Sequence, residues 1–239
     1  MNSMFNNSHN SMSSDSTNSA NSSNFVPIYC LNFNNVTRKS AMEERFRKVG
    51  ISDYFMSSGT PLSDPRIDQS LNDHTKKCHS CMFGHLDMIR EFLDNDCSPY
   101  GIFCEDDIML DTNFVPRLEN IIRDFERMNL DVLLLGYLIP HILTGYSYHE
   151  YAPETIWGTQ MYMLSRKQAR HLINKYANCE IHNLPGPFSA DWTITQEGNR
   201  RIIYPMLAIE DGTSTYDHLG QAQFHALSHS AHLCSSTYI

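Results

Sequence analysis

Tyr100-Gly101-Ile102-Phe103-Cys104-Glu105-Asp106-Asp107-Ile108-Met109 is the stretch on which the reading of this chain turns. Its first half is a compact apolar run. The run stops in three consecutive carboxylates, after which apolar residues resume at once. A short apolar run bounded by Pro99 and by acids reads as a buried strand. Like charges crowded at the end of such a strand repel one another and lose hydration. A hard divalent cation such as manganese or magnesium would offset that cost, because it takes oxygen ligands. The plainer alternative is an acidic, solvated turn from strand to loop.

On the amino-terminal side, residues 25–33 carry Val26, Ile28, Tyr29, Cys30, Leu31 and Phe33 and read as the opening strand. Thr37 is placed to cap a helix whose Met42, Phe46 and Val49 fall at helical spacing, with Gly50 as its stop. Residues 54–56 suggest a short strand, and residues 57–72 a polar loop. Asp73 is placed to cap a longer helix with Cys78, Cys81, Met82, His85, Ile89 and Phe92 on one stripe. Residues 1–24 are almost entirely Asn and Ser and cannot bury enough surface to offset their ordering entropy, so a disordered tail is expected there.

On the carboxyl side, residues 114–128 read as a helix and residues 131–136 as a second buried strand. Residues 139–154 form a tyrosine-rich connection and residues 158–164 another strand. Ser165 and Gln168 have the spacing of a capping box. A Pro-Gly-Pro break precedes a helical turn at 191–196, and residues 201–204 suggest a last strand. The remainder is polar and gives no clear assignment. Strands alternating with helices imply one α/β domain over residues 25–239, with a mainly parallel sheet whose ligands bind at the carboxyl ends of its strands. Glu105-Asp106-Asp107 and Asn32 both fall at such ends.

Bulk properties narrow the classes. A chain of 239 residues has room for one sizeable domain. A formal net charge of -9 and a pI near 5.7 argue against a nucleic-acid partner. No apolar run approaches the roughly 18 residues that a membrane span needs. The first residues lack the basic and apolar parts of a signal peptide, so a soluble cytoplasmic protein is expected. The seven cysteines then fit reduced thiols.

The order of these pieces resembles glycosyltransferase family 25, which includes lipopolysaccharide and procollagen galactosyltransferases. The family's opening strand and following arginine are similar to Ile28-Tyr29-Cys30-Leu31-Asn32 with Arg38. Its cysteine and Ser-His helix element is similar to Cys81-Met82-Phe83-Gly84-His85, with Gly84 standing where Ser is usual. The acidic triplet, Leu135-Gly136, Tyr162-Met163-Leu164-Ser165-Arg166 with Ala169, and the late Asp191 complete a collinear set over residues 26–205. The resemblance implies a GT-A-like, Rossmann-type fold, a nucleoside-diphosphate sugar donor and manganese, or magnesium in its place. Some members of the family occur in giant DNA viruses, which would place such a chain in the host cytoplasm.

In an extended segment residues two apart face one way, so Glu105 and Asp107 could share a metal while Asp106 turns toward ribose. Asp107 is the expected main ligand, with Glu105 in support. The resemblance adds His218 as a third ligand and His85 as a substrate contact. Asn32 and Arg38 are candidates for the nucleotide, by amide hydrogen bonds and phosphate pairing respectively. Asp191 is the candidate general base, giving inversion, or else a plain helix cap. Cys78, Cys81, His74 and His85 superficially suggest zinc, although cysteines three apart also fit the buried helix stripe. Glu210-Asp211-Gly212 is either a ligand pair or an ordinary turn.

The leading expectation is therefore a metal-dependent hexosyltransferase that carries galactose or glucose from a UDP-sugar to a glycan or protein hydroxyl, with a homo-oligomer left open. The competing readings are a non-catalytic nucleotide-sugar or glycan-binding protein and a metal-dependent nucleotidyl- or phosphotransferase. The last is weakened by the lack of a GxxxxGK[ST] phosphate loop.

Overall fold

The computed structural model describes residues 26–145, 147–151, 156–176, 179–184, 186–214, 216, 219–233 and 237–239. The expected tail over residues 1–24 and the candidate ligand His218 lie outside them.

A seven-stranded sheet runs β2-β1-β3-β7-β5-β8-β6. Its members are β1 (Ile28–Asn32), β2 (Tyr54–Ser58), β3 (Tyr100–Glu105), β5 (Val132–Leu138), β6 (Ser147–Glu150), β7 (Trp157–Ser165) and β8 (Arg200–Tyr204). The β1/β2, β1/β3 and β5/β8 pairs are parallel, whereas β3/β7, β5/β7 and β6/β8 are antiparallel. Strands β1, β2, β3, β5 and β8 thus point one way, and the sheet is mostly parallel as the sequence implies. The strand expected at 158–164 is β7, and it runs against both its neighbours.

The period-2 alternation of the strands divides the core between the two faces. Tyr29 and Leu31 of β1, Phe103 of β3 and Tyr162 and Leu164 of β7 face α2 (Asp73–Asn95) and α4 (Arg166–Tyr176). Ile28, Cys30, Ile102, Cys104, Met161 and Met163 face α1 (Val36–Val49) and α3 (Phe114–Arg127). On the first face, rings pair directly across adjacent strands: Phe55 on Tyr29 at 4.8 Å, Tyr29 on Phe103 at 5.7 Å and Phe103 on Tyr162 at 5.4 Å. Each such pair adds to the area it buries and fixes strand register.

Helix ends show which signals prevail. Asn35, not Thr37, caps α1 by accepting from the Arg38 amide at 3.1 Å, and Gly50 ends it at φ 83° as expected. Asn72, not Asp73, caps α2 by accepting from the Thr75 amide at 2.9 Å. Ser165 accepts from the Gln168 amide at 3.1 Å, but the Gln168 side chain donates to the Glu197 carbonyl at 3.3 Å rather than closing a box. Gly84 lies where α2 meets β1, and a Cβ there would sit 3.1 Å from the Leu31 methyls.

The apolar half of the central stretch is β3, a buried strand as expected; the departure lies in the acids that follow, which do not continue as extended chain. The chain bends at Asp106 and Asp107, and β4 (Ile108–Leu110) pairs with β9 (Ala208–Glu210) in a separate two-stranded sheet. The polar carboxyl segment, unassigned from sequence, forms β9 and then α6 (Leu219–Leu233), while the tyrosine-rich connection contains β6. No helix among the described residues is long and apolar enough to cross a membrane.

The small sheet is seated against the large one at Gly136 of β5, where an added Cβ would meet the Ala208 carbonyl oxygen at 2.7 Å. That neighbour is backbone and cannot rotate away. Gly136→Ala is expected to lower the urea midpoint by the equivalent of about 1–3 kcal/mol, the usual cost of overpacking; an unchanged midpoint would show that β9 is not held there.

Candidate active site

The carboxyl ends of β3 and β5, the bend after β3, the end of β9, one face of α2 and the start of the short helix α5 (Ala190–Thr193) converge on one cavity of about 440 Å³. Arg38, Glu105, Asp107, Thr159, Gln160, Asp191, Glu210, Ser214, Tyr216 and His225 are among its lining residues. The small sheet ties the bend in place. The Asp211 amide donates to the Asp107 carbonyl at 2.7 Å, and Arg45 donates to the Ile108 carbonyl at 2.9 Å and to Asp211 Oδ2 at 3.0 Å.

The three acids of the triplet have different surroundings. Asp106 is buried and turned toward Asn32, whose amide donates to it and to the Asn35 carbonyl. Arg38 stands 3.4 Å from Asp106 Oδ1 and 3.4 Å from Asp107 Oδ2, and donates to Ser214 Oγ at 2.9 Å. Ser214 in turn donates to Asp107 Oδ2, while the buried Asp107 Oδ1 has no hydrogen-bond partner. Glu105 Oε1 is 3.4 Å from His85 Nε2 and accepts from Thr159 at 3.0 Å.

The same Thr159 hydroxyl is 3.2 Å from Asp191 Oδ1. One hydroxyl has one proton to donate, so Thr159 holds Glu105 and Asp191 together without satisfying both. Across the cavity, Tyr216 donates to Glu210, and His225 Nδ1 is 2.7 Å from Glu210 Oε2. Gln160, also buried, has a carboxamide oxygen without a partner.

Burial sets the electrostatics. It pushes the Asp107 carboxyl up to about 7, with the charge of Glu105 adding to the effect and Ser214 and Arg38 opposing it. Burial, then Glu105, raises Asp191 to about 6. Burial also raises Asp106, against the Asn32 hydrogen bond and the Arg38 charge. Burial would raise Glu105 too, but the His85 hydrogen bond and charge hold it below the ordinary value. The acids have therefore been driven apart in proton affinity by one shared cavity, a pattern typical of functional sites.

Of the residues proposed from sequence, Glu105, Asp107, Asp191 and Arg38 share the cavity wall, and Asn32 and Asp106 form a pair behind Arg38. Glu105 and Asp107 do reach one space, but by way of the bend and not along an extended strand. His85 is fully buried, 2.9 Å from the Tyr162 hydroxyl and 3.4 Å from Glu105 Oε1, so it stands immediately behind Glu105 at the cavity. Glu210 is a cavity acid and Asp211 a turn residue bound by Arg45. Thr159, Gln160, Ser214 and Tyr216 were not foreseen. They are common polar residues, and no motif marks them.

Asp107, Glu105 and Glu210 line the same cavity, but their ligand atoms are not gathered into one set: Asp107 Oδ1 is buried without a partner, and the two Glu210 oxygens are engaged by Tyr216 and His225. Among the described residues, the set gathered closely enough to hold a cation is Cys81, His85 and Glu105, whose ligand atoms lie within 4.8 Å of one another. Burial pushes the Cys81 thiol well up, so it is protonated near neutrality and a weaker candidate ligand. The superficial zinc pattern that would add His74 and Cys78 to these residues does not form a site of this kind among the described residues.

No protein-family model matches the chain, and no curated protein matches it. Among solved structures, the chain is similar to a glycosyltransferase involved in glycosylation of the major capsid of PBCV-1, with 12% identity, 80% of this chain and 94% of that chain covered, and a TM-score of 0.44. It is similar to A197 from STIV, with 14% identity, 77% and 82% covered, and a TM-score of 0.42. HddC from Yersinia pseudotuberculosis, complexed with GMP-PN, matches with 9% identity, 78% and 91% covered, and a TM-score of 0.40. Likeness at this level does not carry a function.

The raised acids give stability a definite pH dependence. An unfolded Asp titrates near 4, whereas folded Asp107 titrates at about 7. Between those values the folded state binds more protons, so the stability these groups confer is complete below the lower value and is lost as pH rises through the upper one. In chelator, the thermal midpoint is expected to fall across this window, and Asp107→Asn is expected to flatten the fall by up to about 1.4 kcal/mol per pH unit. Parallel curves for the two proteins would contradict the assignment.

Proposed function

We propose that this chain is a divalent-cation-dependent glycosyltransferase of the family 25 type, moving a hexose from a UDP-sugar to a hydroxyl with inversion. The observation that carries this reading is the buried, unpartnered Oδ1 of Asp107, in a cavity where Glu105, Asp191 and Glu210 face Arg38. Asp107, with Glu105 and Glu210 in reach of the same space, would hold manganese or magnesium. Such an ion, when bound, neutralises the charge that develops on a departing diphosphate.

Arg38 offers phosphate a further cationic contact from the same wall. Asp106, steadied by Asn32, is assigned to the ribose. Asp191 takes the proton of the acceptor hydroxyl as that oxygen bonds to the anomeric carbon. The bond from this carbon to the diphosphate breaks, and UDP leaves with the electron pair. A single displacement of this kind inverts the centre. With its carboxyl raised to about 6, Asp191 is largely ionised at neutral pH yet a stronger base than an ordinary aspartate. Thr159 and His85 act as positioning residues, through Asp191 and Glu105. The family resemblance supports UDP-galactose or UDP-glucose as donor.

Asp107→Ala is expected to reduce manganese-dependent UDP release by about 100-fold or more. Undiminished release would end the cation reading, and release of pyrophosphate instead of UDP would favour a nucleotidyltransferase. Asp191→Asn is expected to slow transfer by about 10²- to 10⁴-fold while leaving UDP affinity in place. NMR of the product should give the inverted anomer; retention would exclude Asp191 as base in a direct displacement.

A further inference from the structure

A second, smaller cavity of about 260 Å³ adjoins the first, lined by Leu138, Trp157, Asp191, Gln221, Phe224 and His225. Its walls come from three directions. Leu138 and Trp157 are register partners across β5 and β7. Gln221, Phe224 and His225 are spaced three and four apart on α6, so they project from one helix face. Asp191, in the first turn of α5, lines both cavities.

Trp157 stacks on Trp192 with ring centroids 6.1 Å apart and planes 27° from parallel. These are the two tryptophans of the chain. Trp192 is itself fixed from below by the loop before α5, since a Cβ on Gly186 would lie 2.4 Å from its indole nitrogen. The indole pair thus stands beside the carboxylate assigned as base.

We infer that this second cavity is the acceptor subsite and that it takes a sugar ring, stacked on Trp157 with a hydroxyl directed to Asp191. The inference rests on the glycosyltransferase reading and narrows its acceptor from any hydroxyl to a glycan. A general base must touch both the incoming hydroxyl and the reaction centre, and Asp191 is on the wall of each cavity. A pyranose has an apolar C–H face and a rim of hydroxyls. The cavity has the matching division: Leu138, Trp157 and Phe224 are apolar, while Asp191, Gln221 and His225 offer acceptors and donors. A serine or threonine hydroxyl on a peptide would leave the indole face unused.

The indole pair supplies its own reporter. Tryptophan emission of the wild-type chain is expected to change saturably with methyl β-galactoside or methyl β-glucoside and not with a Gly-Ser-Gly peptide. Trp157→Ala should raise the acceptor KM by about tenfold, the equivalent of one lost ring contact, and Trp157→Phe should restore part of that loss. UDP affinity by calorimetry, in the presence of manganese, serves as the control for folding. If UDP binds but no hexoside alters the emission, or Trp157→Ala leaves the acceptor KM unchanged, the subsite is refuted while the enzyme reading stands. If hexosides alter the emission but neither UDP nor manganese binds, the sugar subsite stands and the enzyme reading falls.

Discussion

Everything at this site follows from burying negative charge where water cannot reach all of it. Asp107 is 7% exposed, and one of its oxygens has no protein donor. A carboxylate in that position is costly unless it is protonated or meets a cation. Arg38 supplies part of the compensation, but its guanidinium is shared between Asp106 and Asp107 and also donates to Ser214. The deficit that remains is the feature on which the proposed cation site rests.

The fold creates this deficit through rigidity. A ladder of rings from Phe55 through Tyr29 and Phe103 to Tyr162 locks β2, β1, β3 and β7 in register. Tyr162 then continues the chain of contacts to His85, and His85 to Glu105. On the other side, β4 and β9 grip the bend, so that Asp107 and Glu210 approach the same space from segments about a hundred residues apart. An acidic loop free to move would spread its charges into water. This one is held by backbone hydrogen bonds on both flanks and has no such escape.

Much of the architecture was legible because burial leaves a regular trace. Short continuous apolar runs marked β1, β3 and β5, and the spacing of Met42, Phe46 and Val49 marked α1. Elements with a weak pattern were harder: α6 has no sharp division between an apolar and a polar face, and β9, though buried, has only three residues. The caps were misplaced by one or two positions because Asn35 competes with Thr37, and Asn72 with Asp73, and local spacing does not separate such neighbours. The acids of the site stood out by their clustering. Their partners did not, since Thr159, Ser214 and Tyr216 become special only when folding brings them beside a carboxylate. His85 stood out in the helix stripe, but a sequence does not tell a residue at a cavity wall from one immediately behind it, where the fold puts His85.

The proposed chemistry requires that the cavity recruit a cation to these carboxylates. Titration of the metal-free chain with manganese, followed by electron paramagnetic resonance with and without UDP, measures this directly. One saturable manganese ion per chain, bound more tightly when UDP is present and lost in Asp107→Ala, is the expected result. Manganese that stays free in solution at every UDP concentration, or binds equally well to Asp107→Ala, would contradict it.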